Sequence, residues 1–266
     1  MSVRSYSGPH ADRRHHGPSG PVRWLPWLLA LAVVGLQIAF PLVHGDARRD
    51  VTVATVVAFF LASAFHALVW RGPWWTAGYL LVTVGGGLAV EAVGVRTGIP
   101  FGHYEYGTAL GATVLGVPWL IPLAWAMMAY PALVAARRLS RSAVVTPLLG
   151  ALALASWDLF LDPMMTAEHY WTFTNPGLVL RNVPGVPASN YLGWFATALV
   201  MMLLLDRLPR RSAPDGQPAF LFLWTYVSSV VANAFFFDRP AVALYGGIAM
   251  GVIAVPYAWV LWSGRD

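Results

Sequence analysis

The run Ala155-Ser156-Trp157-Asp158-Leu159-Phe160-Leu161-Asp162-Pro163-Met164-Met165 closes an apolar stretch that starts near position 143. A stretch of that kind crosses a bilayer as a helix, which takes about 20 apolar residues. It nevertheless carries two aspartates, four residues apart, beside a tryptophan. On a helix, positions i and i+4 share a face, so both carboxylates project the same way. Acids inside a membrane span are seldom tolerated without a role. The run therefore points at once to a membrane fold and to acid chemistry.

Composition agrees with the fold. The chain has 266 residues, of which 58% are hydrophobic and 11% charged, with a mean hydropathy of +0.59. A soluble domain carries about 25% charged residues, so most of this surface faces lipid. With no cysteine, disulfides, thiolate nucleophiles, iron–sulfur clusters and cysteine zinc sites are excluded. The net charge is +5 and every basic residue is arginine. The arginines fall between apolar runs, which indicates membrane orientation rather than nucleic acid.

Eight spans are expected, over 24–43, 51–70, 74–95, 116–136, 143–161, 191–207, 219–237 and 241–262, and no strand barrel. The fold class is thus all-α, a polytopic membrane helix bundle. Residues 24–262 form one transmembrane domain behind a disordered cytoplasmic tail over 1–23, rich in Arg, His, Ser, Gly and Pro. The first apolar run is too long for a signal peptide and lacks a small-residue cleavage site. With both termini inside, Arg4, Arg13, Arg14, Arg23, Arg71, Arg137, Arg138, Arg141, Arg207, Arg210, Arg211 and Arg265 lie on the inner side. Arg48, Arg49, Arg96, Arg181 and Arg239 lie outside. That excess sets the orientation in a cell membrane. Most acids, and the long loops 96–115 and 162–190, fall at the outer end, so chemistry is expected there.

Two segments echo each other. Gly116-Val117-Pro118 is followed by Leu123 and Trp125; Gly185-Val186-Pro187 is followed, at the same offsets, by Leu192 and Trp194. Upstream, Glu91 precedes His103-Tyr104 by about as much as Asp158 precedes His169-Tyr170. A parallel internal repeat would bring Glu91 and Asp158 to equivalent places around one cavity. Coincidence in a chain rich in Gly, Pro and Trp is the alternative.

Several side chains carry chemistry. Two carboxylates as close as Asp158 and Asp162, in low dielectric, do not both ionise; the pair holds a proton that a weak base can take. Asp162 also precedes Pro163 and would serve equally to shape a helix end. Glu91 is either an acid of the same site or an interhelical hydrogen-bonding group, with Gly85, Gly86 and Gly87 allowing a close neighbour. Asn190 fits a helix N-cap or a holder of water. Tyr104, Tyr106, Trp119, Trp125, Trp157, Trp171 and Trp194 suit an interfacial belt, or, for deeper ones such as Trp125, an apolar tunnel facing a cation. His103, Glu105, Glu168 and His169 have metal-ligating side chains, but interfacial hydrogen bonding is the expected role and no metal is assigned. His66 reads as a packed or snorkelling residue, and Asn233 and Asp238 as weaker candidates. There is no His-x-x-x-His pair, no Asp-Asp-x-x-Asp, no P-loop and no Gly-x-Gly-x-x-Gly turn. Acids and aromatics with no cofactor signature suggest proton-initiated chemistry on an apolar substrate.

The ordered motifs Gly102-His103-Tyr104-Glu105-Tyr106, Gly116-Val117-Pro118 through Ile121-Pro122-Leu123-Ala124-Trp125, Trp157-Asp158-Leu159-Phe160-Leu161-Asp162-Pro163-Met164, and Gly185-Val186-Pro187-Ala188-Ser189-Asn190 with Gly193-Trp194 resemble the membrane carotenoid hydratases. That family includes γ-carotene 1'-hydroxylases, which act as hydratases, and bisanhydrobacterioruberin hydratases. The resemblance covers roughly residues 50–260. Where the family tends to have Trp-x-Trp, this chain has Trp171 and Phe173. The resemblance implies addition of water to the terminal double bond of an acyclic, lycopene-like carotenoid in the bilayer, beside other enzymes of carotenoid synthesis and with no cofactor. On the residues, Asp158 is expected to deliver the proton, tuned by Asp162 and Glu91. Tyr104, Tyr106, Trp125, Trp157, Asn190 and Trp194 hold substrate, cation or water. A proton-driven cyclase or isomerase, or a non-enzymatic carotenoid carrier, are the competing readings.

Overall fold

The computed structural model describes residues 21–264. Among them, eight helical segments are long and apolar enough to cross a membrane: Val22–Leu42, Gly45–Arg71, Pro73–Thr97, Leu120–Leu139, Val145–Ala167, Ala188–Asp206, Gly216–Phe235 and Pro240–Ser263. The chain is an all-α, multi-pass membrane bundle. Its helices are α1 (Leu25–Ala39), α2 (Gly45–Arg71), α3 (Pro73–Leu80), α4 (Gly86–Thr97), α5 (Leu120–Leu139), α6 (Val145–Ala167), α7 (Ala188–Asp206), α8 (Gly216–Phe235) and α9 (Pro240–Ser263). A π-helical turn, Leu81–Gly85, joins α3 to α4, so these two make one span. The expected disordered tail lies, for residues 1–20, outside the described residues; Pro21–Trp24 form a 3-10 turn leading into α1.

Helix α5 is the central column. Nearly every residue from Leu120 to Ala136 is buried. Lipid offers apolar side chains no hydrophobic gain on association, so packing depends on close backbone approach over small residues. Ala126, Ala129, Ala132, Ala135 and Ala136, all fully buried, supply that surface, and α2, α6, α8 and α9 pack around it. Pro131 has no N–H and frees the Met127 carbonyl one turn earlier. Ser63 Oγ of α2 donates to that carbonyl at 2.8 Å, and Tyr79 Oη of α3 donates to the Ala126 carbonyl at 2.6 Å. The break in the helix ladder is thus repaired by its neighbours, as a membrane interior demands.

One end of the bundle, read from sequence as the inner one, is tied by arginines. Arg137 Nε donates to Asp206 Oδ1 at 3.0 Å, and its Nη2 to the Leu205 and Leu208 carbonyls, both at 2.9 Å, closing the C-terminus of α7. Arg71 and Arg211 each donate to the other's carbonyl, at 2.8 and 2.6 Å. His66 Nδ1 lies 2.8 Å from Tyr130 Oη, which also accepts from Arg71 Nε at 3.0 Å. His66 is therefore a packed residue.

At the opposite end the two long loops fold over the bundle. Strand β1 (Tyr104–Tyr106) pairs antiparallel with β4 (Trp171–Phe173), with Tyr104 opposite Phe173 and Tyr106 opposite Trp171. Alternation along a strand turns these four aromatics to one face and Glu105 and Thr172 to the other. Strands β2 (Thr113–Val114) and β3 (Val117–Pro118) form a second small ladder. That ladder corrects the expected start of the fourth span. Gly116 has φ +87°, and the chain turns there, so the helix begins only at Leu120. The fifth span also runs further than expected, through Pro163 to Ala167; Pro163 therefore does not end the helix. The echoed segments meet in space. Gly185 repeats the Gly116 turn at φ +88°, and Trp125 and Trp194 stack with centroids 3.9 Å apart.

Candidate active site

Beneath the β1–β4 ladder lies a cavity of about 160 Å³. Its wall contains eight of the nine residues that the sequence proposed: Glu91, Tyr104, Tyr106, Trp125, Trp157, Asp162, Asn190 and Trp194. Asp158 differs. Its side chain is fully buried and is not part of the wall. The carboxyl that faces the cavity from α6 is Asp162, one helical turn further along.

Asn190 links the two aspartates. Its Nδ2 donates to Asp158 Oδ2 at 2.8 Å and to Asp162 Oδ2. The primary amide has two N–H donors, one for each acid. Asn190 is the third residue of α7, and the helix is preceded by Pro187 with no side-chain cap. The capping role is therefore replaced by a bond between helices. Asp162 Oδ1 accepts from Trp171 Nε1 at 3.1 Å, whereas Asp158 Oδ1 has no partner among the described residues. Trp171 stands in sequence where the resembled family has its Trp-x-Trp, which was the available signal for its place here.

Glu91 occupies another part of the wall. Tyr104 Oη and Tyr106 Oη donate to its Oε2 at 2.5 and 2.8 Å, and Trp125 Nε1 donates to Oε1 at 2.9 Å. Burial first, and then the Glu91 charge, push both phenols well above the usual tyrosine range. They therefore stay protonated as donors. Gly87, one turn before Glu91, makes the Trp125 bond accessible. A Cβ there would lie 3.1 Å from the Trp125 ring. The π-turn just upstream is a feature often found at functional sites.

The rest of the wall is aromatic. Trp157 meets Trp194 edge-on at 6.2 Å, Tyr106 meets Trp171 edge-on at 5.9 Å, and Phe101, Phe160 and Phe173 complete it. No basic side chain lines the cavity among the described residues. The four loop residues with metal-ligating side chains are not gathered. Glu105 and His103 are exposed, and Glu168 is bonded to Arg48 at 2.5 Å. Asn233 bonds back to the Ser229 carbonyl at 2.9 Å, and Asp238 lines a separate outer vestibule of about 1020 Å³.

A family model, carotenoid biosynthesis protein, matches residues 51–263. The chain belongs to that family. Its match contains every acid of the cavity and both members of the stacked Trp125–Trp194 pair. Over 192 residues the chain is 31% identical to the bisanhydrobacterioruberin hydratase of Haloarcula japonica. That match takes in 66% of this chain and 59% of the length of that curated relative. No solved structure matches the chain.

Proposed function

We propose that the protein adds water to the terminal double bond of an acyclic carotenoid end group. The observation that carries this reading is an apolar, aromatic cavity with two separate carboxyl centres and, among the described residues, no basic side chain on its wall. Asp158 and Asp162, joined through one amide nitrogen, share a proton. Asp162, the member on the wall, delivers it to the less substituted alkene carbon. The π electrons form the new C–H bond and leave a tertiary cation. The sequence assigned delivery to Asp158; its burial behind Asp162 favours the other member of the pair. Glu91, held by three donors, suits a carboxylate, which only accepts. It stabilises the cation together with the faces of Trp125, Trp157 and Trp194. Water then bonds to the cation and its proton returns to the aspartate pair, so alkene and water give a tertiary alcohol.

The cavity size supports an end-first mode of binding. A void of about 150 Å³ holds a benzene-sized ligand, so only the end of a polyene enters and the rest stays in lipid. Half-buried residues of α1, α2 and α8 complete the wall, among them Gln37, Thr55 and Ser228. Entry from the bilayer between these helices fits that wall. Phe173 lines both this cavity and the outer vestibule, which makes it the partition that water must pass. Both termini lie in the cytoplasm on this reading, and the described spans act as one domain.

The test is pigment analysis of a lycopene-accumulating cell with and without the chain. The expected product gains the mass of one water molecule. A product of unchanged mass would mean cyclisation or isomerisation, and bound but unaltered pigment would mean a carrier.

A further inference from the structure

The wall of the same cavity formed by α1 and α8 carries polar groups that proton addition does not use, and two of them have an atom with no partner among the described residues. Threonines in a membrane helix normally return their hydroxyl to the carbonyl four residues back. Thr52 and Thr55 on α2 do so, to Arg48 and Val51 at 2.9 and 2.7 Å. Thr225 on α8 does not. It is 2% exposed, lines the cavity, and its Oγ1 has no partner among the described residues. Gln37 on α1 also lines the cavity, and its Oε1 is buried and likewise unpartnered. Helices α1 and α8 run parallel, since Trp27 meets Phe220 and Phe40 meets Phe237. Gln37 therefore falls beside the last turns of α8, above Thr225.

A buried polar atom without a partner is costly, about 1–3 kcal/mol, and one that faces a cavity can be satisfied by a ligand there. A free hydroxyl and a free amide oxygen, both neutral, each match an alcohol, which donates once and accepts twice. They do not match an ion, since neither side chain carries a charge. Nor can they take the proton that attacking water releases, since neither an amide nor an alcohol is a base at working pH.

We propose that Gln37 and Thr225 form a subsite for an alcohol carried on the isoprenoid chain close to its reacting end, in the same cavity as the carboxylates. The alcohol is brought by the substrate or made by the reaction. The inference rests on the proposed hydratase reading for its biological meaning, but not for its test. Gln37 lies before the residues that the family model matches, and Thr225 lies within them.

The test is binding to the purified full chain, read by quenching of tryptophan fluorescence. The probes are linalool, an acyclic ten-carbon alcohol, and myrcene, its dehydrated hydrocarbon. The wild type is expected to favour the alcohol by about tenfold, the value of one or two hydrogen bonds. Thr225→Val and Gln37→Met are each expected to remove most of that preference while leaving myrcene affinity unchanged, and Thr225→Ser to retain it. A wild type with no preference, or a preference that survives both substitutions, overturns the subsite. If Thr225→Val loses both probes, Thr225→Ser decides: preference kept supports the subsite, and preference lost overturns it. Two turnover arms separate the sources. A raised KM only for an end group that already bears a hydroxyl indicates the substrate's alcohol, and weakened product inhibition indicates the new one. Neither changing would overturn the proposal as well. The binding arm reads the subsite even in a chain that hydrates nothing, so the two readings fail separately.

Discussion

The bundle has two buried polar clusters at opposite ends, and they are built on opposite principles. At the arginine end, charge is answered by charge, by carbonyls or by a phenol: Arg137 by Asp206 and the end of α7, Arg71 by Tyr130 and the Arg211 carbonyl. At the other end, Glu91, Asp158 and Asp162 meet, among the described residues, only neutral donors, from tyrosine, tryptophan and asparagine. A compensated cluster fixes helices in place. A cluster of acids left without cations, against a cavity, stays available to exchange a proton. The same cost of burying charge thus gives a lock at one end and, on the proposed function, a reactive site at the other.

The contrast breaks most visibly at Asp162. Asp162→Asn keeps the shape and, with a single acceptor oxygen, one of the two hydrogen bonds that the carboxyl accepts from Trp171 and Asn190, but it has no acidic proton to donate. Hydration is expected to fall about 10²- to 10⁴-fold, with the melting temperature near the wild-type value. Asp158→Asn is expected to cost less, since Asp162 still faces the alkene. At the arginine end, Asp206→Asn should do the reverse. Removing one partner of a buried pair costs about 3–5 kcal/mol, read by thermal unfolding in detergent, while the folded fraction retains its specific activity. Trp125→Phe keeps the ring against Trp194 and removes one donor to Glu91. A hydrogen bond to a charged group is worth about 1.5–3 kcal/mol, so turnover should drop roughly tenfold or more. The smallest effect is expected at Phe173. The chain has no cysteine, so Leu110→Cys, on the cavity wall, becomes a single reporter. Adding Phe173→Ala should speed its labelling by a water-borne thiol reagent a few-fold. Unchanged labelling would mean that water reaches the cavity elsewhere.

Hydropathy made the eight spans legible, because about 20 apolar residues between arginines have few other folds available. The i, i+4 aspartates and the motif order pointed to side chains that the fold brings together, since Asp162, Glu91, Asn190 and the tryptophans share one cavity wall. What the sequence did not disclose were facts of rotation and partnership. Asp158 and Asp162 share a face, but which one meets the cavity depends on how α6 is rolled against α7. Asn190 looked like a cap because its position just past Gly-Val-Pro is where caps occur; its partners lie on another helix. The start of α5 was misread because Val117 and Pro118 suit an apolar helix but are drawn into a two-stranded ladder. Thr225 and Gln37 were silent, since a lone hydroxyl in an apolar helix looks like Thr52 or Thr55, which bond back to their own backbone.

The central claim is that a lipid-embedded aspartate pair adds the elements of water to an olefin, and one comparison tests it most directly. Purified wild type and Asp162→Asn are each given lycopene in heavy-oxygen water under ordinary air. The account predicts a wild-type alcohol whose oxygen comes from the labelled water, and almost no product from a variant that melts like the wild type. An alcohol whose oxygen comes from air, or full turnover by the variant, would contradict it.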